Sequence, residues 1–344
     1  MFCGFSREVD LMAARSLHIT QNISFEDDNS LELPLSAFPQ EHMTGFLKDA
    51  SGVSFAHIHY TSLLFEGGYG LLHRVNRKSL PDEKVVPAIV KVPKSGAYLG
   101  KEALTQWLAW QTLKKYGLES ATPEVYDIFV RGKKEVCFCM EFVKGHFPYS
   151  LLAVSPTPDM VLFQILAQLC LLLGILEKEI RMDHRDLKAN NIYIRERPCS
   201  YTVDLSGSRW TLSAPFQVVL LDYGFACLGN DMKRTRINVS PDIFPQSDPC
   251  PKEGRDLFHL LTSFWSIPSI RQRMTSATQK EIDTWLYQQK KDYGKLARTS
   301  VEQRTFYVIT GEEGFRYPFL EPVNLLARIA QKYPQVVQRT PNSS

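Results

Sequence analysis

This 344-residue chain has no CxxC pair, no clustered basic tract and only one extended apolar run. Its seven cysteines (3, 137, 139, 170, 199, 227 and 250) are odd in number and scattered. That spacing gives neither a zinc ribbon nor a disulfide framework, and a reduced intracellular setting is the simpler expectation. The opening residues MFCGFSREVD are polar and acidic where a secretory signal carries an apolar core. Forty Lys and Arg against 37 Asp and Glu leave a net charge of +3, with the two signs interleaved. Nucleic-acid binding requires a more concentrated basic footprint, so no such partner is expected. The apolar run, MVLFQILAQLCLLLGIL at 160–176, is 17 residues long and contains Gln164 and Gln168. Its length is at the bottom of the spanning range, which favours a buried core helix over a membrane helix. The expected location is the cytoplasm or nucleus, neither secreted nor transmembrane.

What is present suits a folded chain: 44% hydrophobic and 22% charged residues, enough to build a sizeable core. Residues 1–57 carry a possible helix near Glu8–Leu17 and an acidic stretch, FEDDNSLELPLSAFPQ, and take no assigned role. From His57 the pattern becomes short apolar runs separated by turns. HIHYTSLLF, LLHRVNR, VVPAIVKV, VYDIFV and EVCFCMEFV read as five strands. KEALTQWLAWQTLKKYG, between the third and fourth, has helical spacing and a stop at Gly117. Beyond Gly145 the character turns helical, with a hairpin at about 195–217 and helices near Arg255–Trp265, Thr278–Tyr293 and Pro322–Tyr333. The divisions expected are an extension at 1–57, units at 58–143 and 144–336, and a frayed tail at 337–344.

The sharpest chemical signal is HRDLKANN at 184–191. One short loop holds a carboxylate, Asp186, a cation, Lys188, and an amide, Asn191. Phosphoryl transfer to a hydroxyl needs that set: a base for the proton, a positive charge for the moving phosphoryl and an oxygen for Mg²⁺. The loop resembles the catalytic loop of the eukaryotic-type protein kinases, whose pattern is HRDLKxxN. DYG at 222–224 follows an apolar strand, 36 residues after Asp186, and resembles that family's DFG with Tyr223 for Phe. Lys91 in AIVKV is a lysine inside an apolar strand, where its charge needs anions.

The resemblance covers about residues 58–265 and implies roles for particular residues. Asp186 orients and deprotonates the acceptor hydroxyl, and Lys188 steadies the transferred phosphoryl. Asn191 and Asp222 hold Mg²⁺. Lys91 binds the α- and β-phosphates of ATP, with Glu102 as its carboxylate partner; the alternative for Glu102 is an ordinary first-turn glutamate favoured by the helix dipole. FEGGYG at 65–70 corresponds to the glycine-rich loop, with Gly67, Gly68 and Gly70 at the phosphates and Phe65 in place of the first glycine. No GK[ST] follows, which excludes a P-loop. Met140, Glu141 and Val143 resemble the segment that joins the lobes and borders adenine. SPD at 240–242 stands where the family has APE, and Asp256 in RDLF braces the catalytic loop. A phosphate on Thr235, within KRTR, would recruit Arg185.

Departures are Gln106 at an apolar position of the helix, Ile89 and Tyr193 around the base, and no match after about residue 270. The fold implied is α+β, two-lobed and kinase-like: a small antiparallel sheet lobe with one helix, and a mainly helical second lobe. The implied activity is a Ser/Thr protein kinase using ATP and Mg²⁺ on protein substrates of unknown identity. Alternatives are a catalytically weak scaffold and a small-molecule kinase.

Overall fold

A computed structural model describes residues 38–42, 44–49, 51–94, 97, 99–132, 134–229, 235–245, 247–287 and 309–342. The expected helix near Glu8–Leu17 lies outside these residues. Two short strands, β1 (Gln40–Glu41) and β2 (Phe46–Lys48), precede three long ones, β3 (Ser54–Glu66), β4 (Gly70–Ser79) and β5 (Val85–Pro93). Helix α1 (Gly100–Lys114) follows, and then β6 (Val125–Arg131) and β7 (Glu135–Glu141). Alternation along these strands sorts side chains by face. Ala88, Val90 and Val92 of β5 are buried inside with Phe129, Cys137 and Cys139, while Ile89 and Lys91 occupy the other face. On β6 and β7 the alternate residues Ile128, Val136 and Phe138 join Leu104 and Leu108 of α1 in a second core.

These seven strands close into a barrel of order β1-β2-β3-β4-β5-β7-β6. The closing contact is parallel: Gln40 pairs with Val130 and Glu41 with Arg131. This overturns the expected small antiparallel sheet lobe. Residues 38–48, assigned no role from sequence, supply the strands that cover the open edges. The boundary expected at residue 57 accordingly falls inside β3.

The second half is organised around α3 (Pro158–Ile180), which follows a short helix, α2 (Pro148–Val154). At 23 residues α3 outruns the 17-residue apolar run, and it is the one described helix long and apolar enough to cross a membrane. Its most apolar window is 83% buried within the fold.

Three small sheets, not helices alone, complete this half, which corrects the mainly helical second lobe. One contains β8 (Met182–Asp183), β13 (Cys227–Gly229) and β14 (Thr235–Asn238). Another pairs β9 (Ile192–Arg195) with β12 (Gln217–Leu220). The third joins β10 (Cys199–Leu205), β11 (Ser208–Ala214) and β15 (Val337–Pro341). The β10–β11 hairpin turns at Ser206 and Gly207, both at positive φ, as a two-residue turn matching strand twist requires. β15 pairs along β11 from Val337 to Pro341, so those residues are not frayed. Helices α4 (Arg255–Trp265), α5 (Pro268–Arg273), α6 (Ser276–Tyr287) and α7 (Pro322–Lys332) pack around α3 and the loops.

Cys227 and Cys250 form a disulfide, which the scattered spacing did not suggest. The two are 23 residues apart in sequence, and tertiary placement brings their Cα atoms to 6.2 Å. Gly254 caps α4 at φ +71°, and a Cβ there would stand 2.2 Å from the Tyr317 carbonyl oxygen. Both the backbone conformation and the space therefore demand glycine. Gly254→Ala should destabilise the protein by about 2–4 kcal/mol, read from the urea midpoint. A change below about 0.5 kcal/mol, the ordinary range for surface substitutions, would contradict this packing.

Candidate functional site

The loop after α3 is held by its backbone. Arg181 ends the helix in the left-handed conformation, and β8 leads into His184. Asp256, in the first turn of α4, accepts the N–H of His184 at 2.7 Å and of Arg185 at 2.8 Å, one on each carboxylate oxygen. Arg185 is left-handed, at φ +63°. The reversal sends its side chain into a buried cluster and leaves Asp186 among polar groups. Asp186 Oδ2 accepts a bond from Lys188 Nζ at 2.8 Å and another from Asn191 Nδ2 at 2.9 Å. Asn191 Nδ2 also donates to the Asp186 carbonyl at 2.8 Å, which leaves the amide oxygen Oδ1 out of these bonds.

Asp222 is brought to this loop from the end of β12. It too is left-handed, at φ +58°, and its side chain is 48% exposed. Lys91 Nζ lies 3.1 Å from Asp222 Oδ1 and 2.5 Å from Glu102 Oε1. Lys91, Glu102 and Asp222, from a strand, a helix and a loop, thus form one ion cluster. Glu102 occupies the first turn of α1 and meets Lys91 at the same time, so its two sequence readings are compatible. Burial pushes its carboxyl up to about 7 in spite of the Lys91 charge. Burial also works against Asp222, but the Lys91 ammonium outweighs it and holds that carboxyl below its ordinary range. Lys91 itself is disfavoured by burial, yet Asp222 and Glu102 keep its ammonium above the usual value.

The turn between β3 and β4 adjoins this cluster. Gly67 N–H donates to the Gly70 carbonyl at 2.9 Å, and Tyr69 C=O accepts from Lys94 N–H at 3.0 Å. A Cβ on Gly70 would approach the Val92 carbonyl to 2.9 Å, whereas one on Gly68 would meet nothing within 4 Å. The fold therefore needs glycine at 70 and leaves the space beside Gly68 open. Tyr69 reaches the loop after β12 and meets Phe225 edge-on, with ring centroids 5.7 Å apart.

On β7, Met140 Sδ accepts a bond from Gln106 Nε2, which also donates to Pro123 C=O at 3.0 Å. The polar residue that departs from the family pattern is thus satisfied where it is buried. Glu141 is fixed twice. Its carboxylate takes a bidentate pair from Arg195 at 2.8 and 2.9 Å, and its N–H donates to Glu124 C=O. Among the described residues the Val143 N–H meets no acceptor.

Sequence reasoning missed several residues that build this site. Asp242 is exposed and Ser240 Oγ donates to Gly224 C=O at 2.6 Å, while the buried acid that meets Arg255 is Asp248, at 2.6 Å. No motif marks Asp248. The only hint is an acid four residues before Lys252 and seven before Arg255. The Thr235 side chain lies outside the described residues.

Tyr223 is fully buried, and its hydroxyl shares a 2.8 Å hydrogen bond with Thr122 Oγ1. Its ring lies 5.3 Å from that of His184, whose Nε2 is 2.9 Å from the Leu221 carbonyl. The hydroxyl that distinguishes DYG from DFG is therefore used inside the protein.

No protein-family model matches the chain, and no curated protein is significantly similar to it. The site's chemistry accordingly rests on its own geometry. Tyr223→Phe removes one partner of a buried pair and should cost about 0.5–1.5 kcal/mol in chemical denaturation. It should leave the far-ultraviolet spectrum unchanged. An unchanged unfolding midpoint would show that the hydroxyl bond contributes nothing.

Proposed function

We propose that the chain transfers the γ-phosphoryl group of ATP to Ser or Thr hydroxyls of protein substrates. The observation that carries this is the convergence of Lys91, Glu102 and Asp222 beside a loop in which Asp186 is bonded to both Lys188 and Asn191. An ion cluster with a half-exposed carboxylate, next to a glycine turn with open space at Gly68, suits a triphosphate. The cluster supplies a cation, and the turn lets backbone approach the phosphate oxygens closely.

The donor set also suits Mg²⁺. Among the described residues no three His, Cys, Asp or Glu side chains form a metal cage. Mg²⁺ in phosphoryl-transfer sites is held by one or two protein oxygens together with phosphates and water. The Asp222 carboxylate and the Asn191 amide oxygen would be those protein ligands. When bound, the ion neutralises charge on the β- and γ-phosphates.

The remaining work falls to the chain's own groups. Lys91 takes a phosphate oxygen in exchange for its bond to Asp222, and Glu102 keeps the ammonium in place. Asp186 orients the acceptor hydroxyl and takes its proton as the oxygen–phosphorus bond forms and ADP departs. Lys188, beside Asp186, offsets charge on the moving phosphoryl. The Val143 N–H and the fixed Glu141 border the base. The Lys that follows Asp186 by two positions resembles Ser/Thr-directed enzymes, which favours those hydroxyls.

One observation favours a second reading, a nucleotide-binding scaffold. Phe65, in place of the first glycine, is 61% exposed at the mouth of the turn. The two readings separate by experiment. With γ-labelled ATP, Mg²⁺ and a mixed pool of protein substrates, the wild type should label Ser or Thr. Asp186→Asn should lose at least about a hundredfold of that rate, the scale of general-base catalysis, while still gaining thermal stability from Mg·ATP. Stabilisation of the wild type without any transfer would leave the scaffold as the function.

A further inference from the structure

Arg185, next to the proposed catalytic Asp186, is fully buried and already engaged. Its Nη1 donates to Asn238 Oδ1 and its Nη2 to Asp248 Oδ2, both at 2.9 Å, and its guanidinium lies 4.7 Å from the Phe244 ring centroid. Its Nε is also buried and meets no acceptor among the described residues. Asp248 does not serve Arg185 alone. Its Oδ2 also takes Arg255 Nη1 at 2.6 Å, and its Oδ1 takes Lys252 Nζ at 3.1 Å. Lys252 is further tied to the carbonyls of Thr310 and Glu312, and Arg255 to Asp183. Three cations from two parts of the chain therefore converge on one carboxylate that is 4% exposed.

A phosphate on Thr235 could recruit Arg185 only if the guanidinium had donors turned to solvent, and it has none. Asn238 and Asp248 already take the guanidinium bonds such a phosphate would need. Asn238 and Phe244 belong to the stretch after DYG, so Arg185 fastens that stretch to the catalytic loop. The Cys227–Cys250 disulfide closes the same stretch covalently, two residues from Asp248.

We propose that Asp248 is a positioning residue for the phosphoryl transfer inferred above: it holds Arg185 permanently, and through it the backbone turn that presents Asp186, so the site assembles without phosphorylation of the segment containing Thr235. This rests on the proposed function. Its test compares kcat and KM for ATP, with the same substrate pool, in wild type, wild type treated with a protein phosphatase, Thr235→Ala and Asp248→Asn. Phosphatase treatment and Thr235→Ala should leave kcat within about twofold. Asp248→Asn should lower kcat about tenfold or more with KM for ATP within about threefold, the signature of lost positioning without lost nucleotide binding.

Loss of transfer on phosphatase treatment or in Thr235→Ala overturns the proposal while leaving the proposed function intact. So does an Asp248→Asn protein with wild-type kcat. Should Asp248→Asn fail to fold, the phosphatase and Thr235→Ala arms decide. A wild type that transfers no phosphate overturns the proposed function and this proposal with it.

Discussion

The second half of the molecule depends on keeping buried charges in balance. Arg185 and Arg255 are entirely inaccessible, and Lys252 is nearly so. Removing an ion from water costs several kcal/mol even after the protein relaxes, and the cost is met only if partners surround it. Here Asp183 and Asp248 are those partners. The paired groups come from β8 and the loop after it, the stretch before α4, and α4 itself. No one of these elements can form in its native position without the others, because each would leave a charge unpaired. That requirement makes the loop at 184–191 a consequence of the fold. Its two N–H groups sit on Asp256, its arginine on Asp248, and Asp186 follows in the one direction left.

The barrel contributes a different constraint, strand alternation. A lysine among Ala88, Ile89, Val90 and Val92 must choose between a sealed interior and the outer face. The register that buries Val90 and Val92 turns Lys91 outward, toward α1 and Asp222. Its ammonium meets two carboxylates there in a setting of low dielectric. Burial makes Glu102 resist ionisation, whereas Asp222, half exposed beside the ammonium, stays charged. The two carboxylates differ in surroundings and consequently in chemistry: one keeps Lys91 in place and the other is free to exchange partners.

Much of this was legible along the chain where patterns are local. The strands from β3 to β7, α1 between β5 and β6, the hairpin turning at Ser206–Gly207 and the helix Arg255–Trp265 all follow from periodicity and turn residues. β1 and β2 were not legible, since segments of two and three residues carry no period and their pairing is long-range. The overall fold was misjudged for that reason, as closure of the barrel rests on Gln40 and Glu41. The Cys227–Cys250 bond and the role of Asp248 were hidden similarly, because both are made by tertiary placement. At the candidate site the residue identities could be picked out of HRDLKANN, DYG and AIVK. Their distances, the burial of Arg185 and the internal partner of the Tyr223 hydroxyl could not, because nothing in a linear pattern reports what a side chain meets across the fold.

In the proposed function Lys91, Asn191 and Asp222 receive a nucleotide together with a divalent cation. Calorimetric titration of ATP into the wild type and Asp222→Asn, with and without Mg²⁺, reads this out. Mg²⁺ should strengthen ATP binding to the wild type by about tenfold or more, some 1.4 kcal/mol. In Asp222→Asn most of that gain should vanish, while Mg²⁺-free binding is kept or improved as Lys91 is released. Equal binding with and without Mg²⁺ in the wild type, or a full Mg²⁺ effect in the variant, would contradict it.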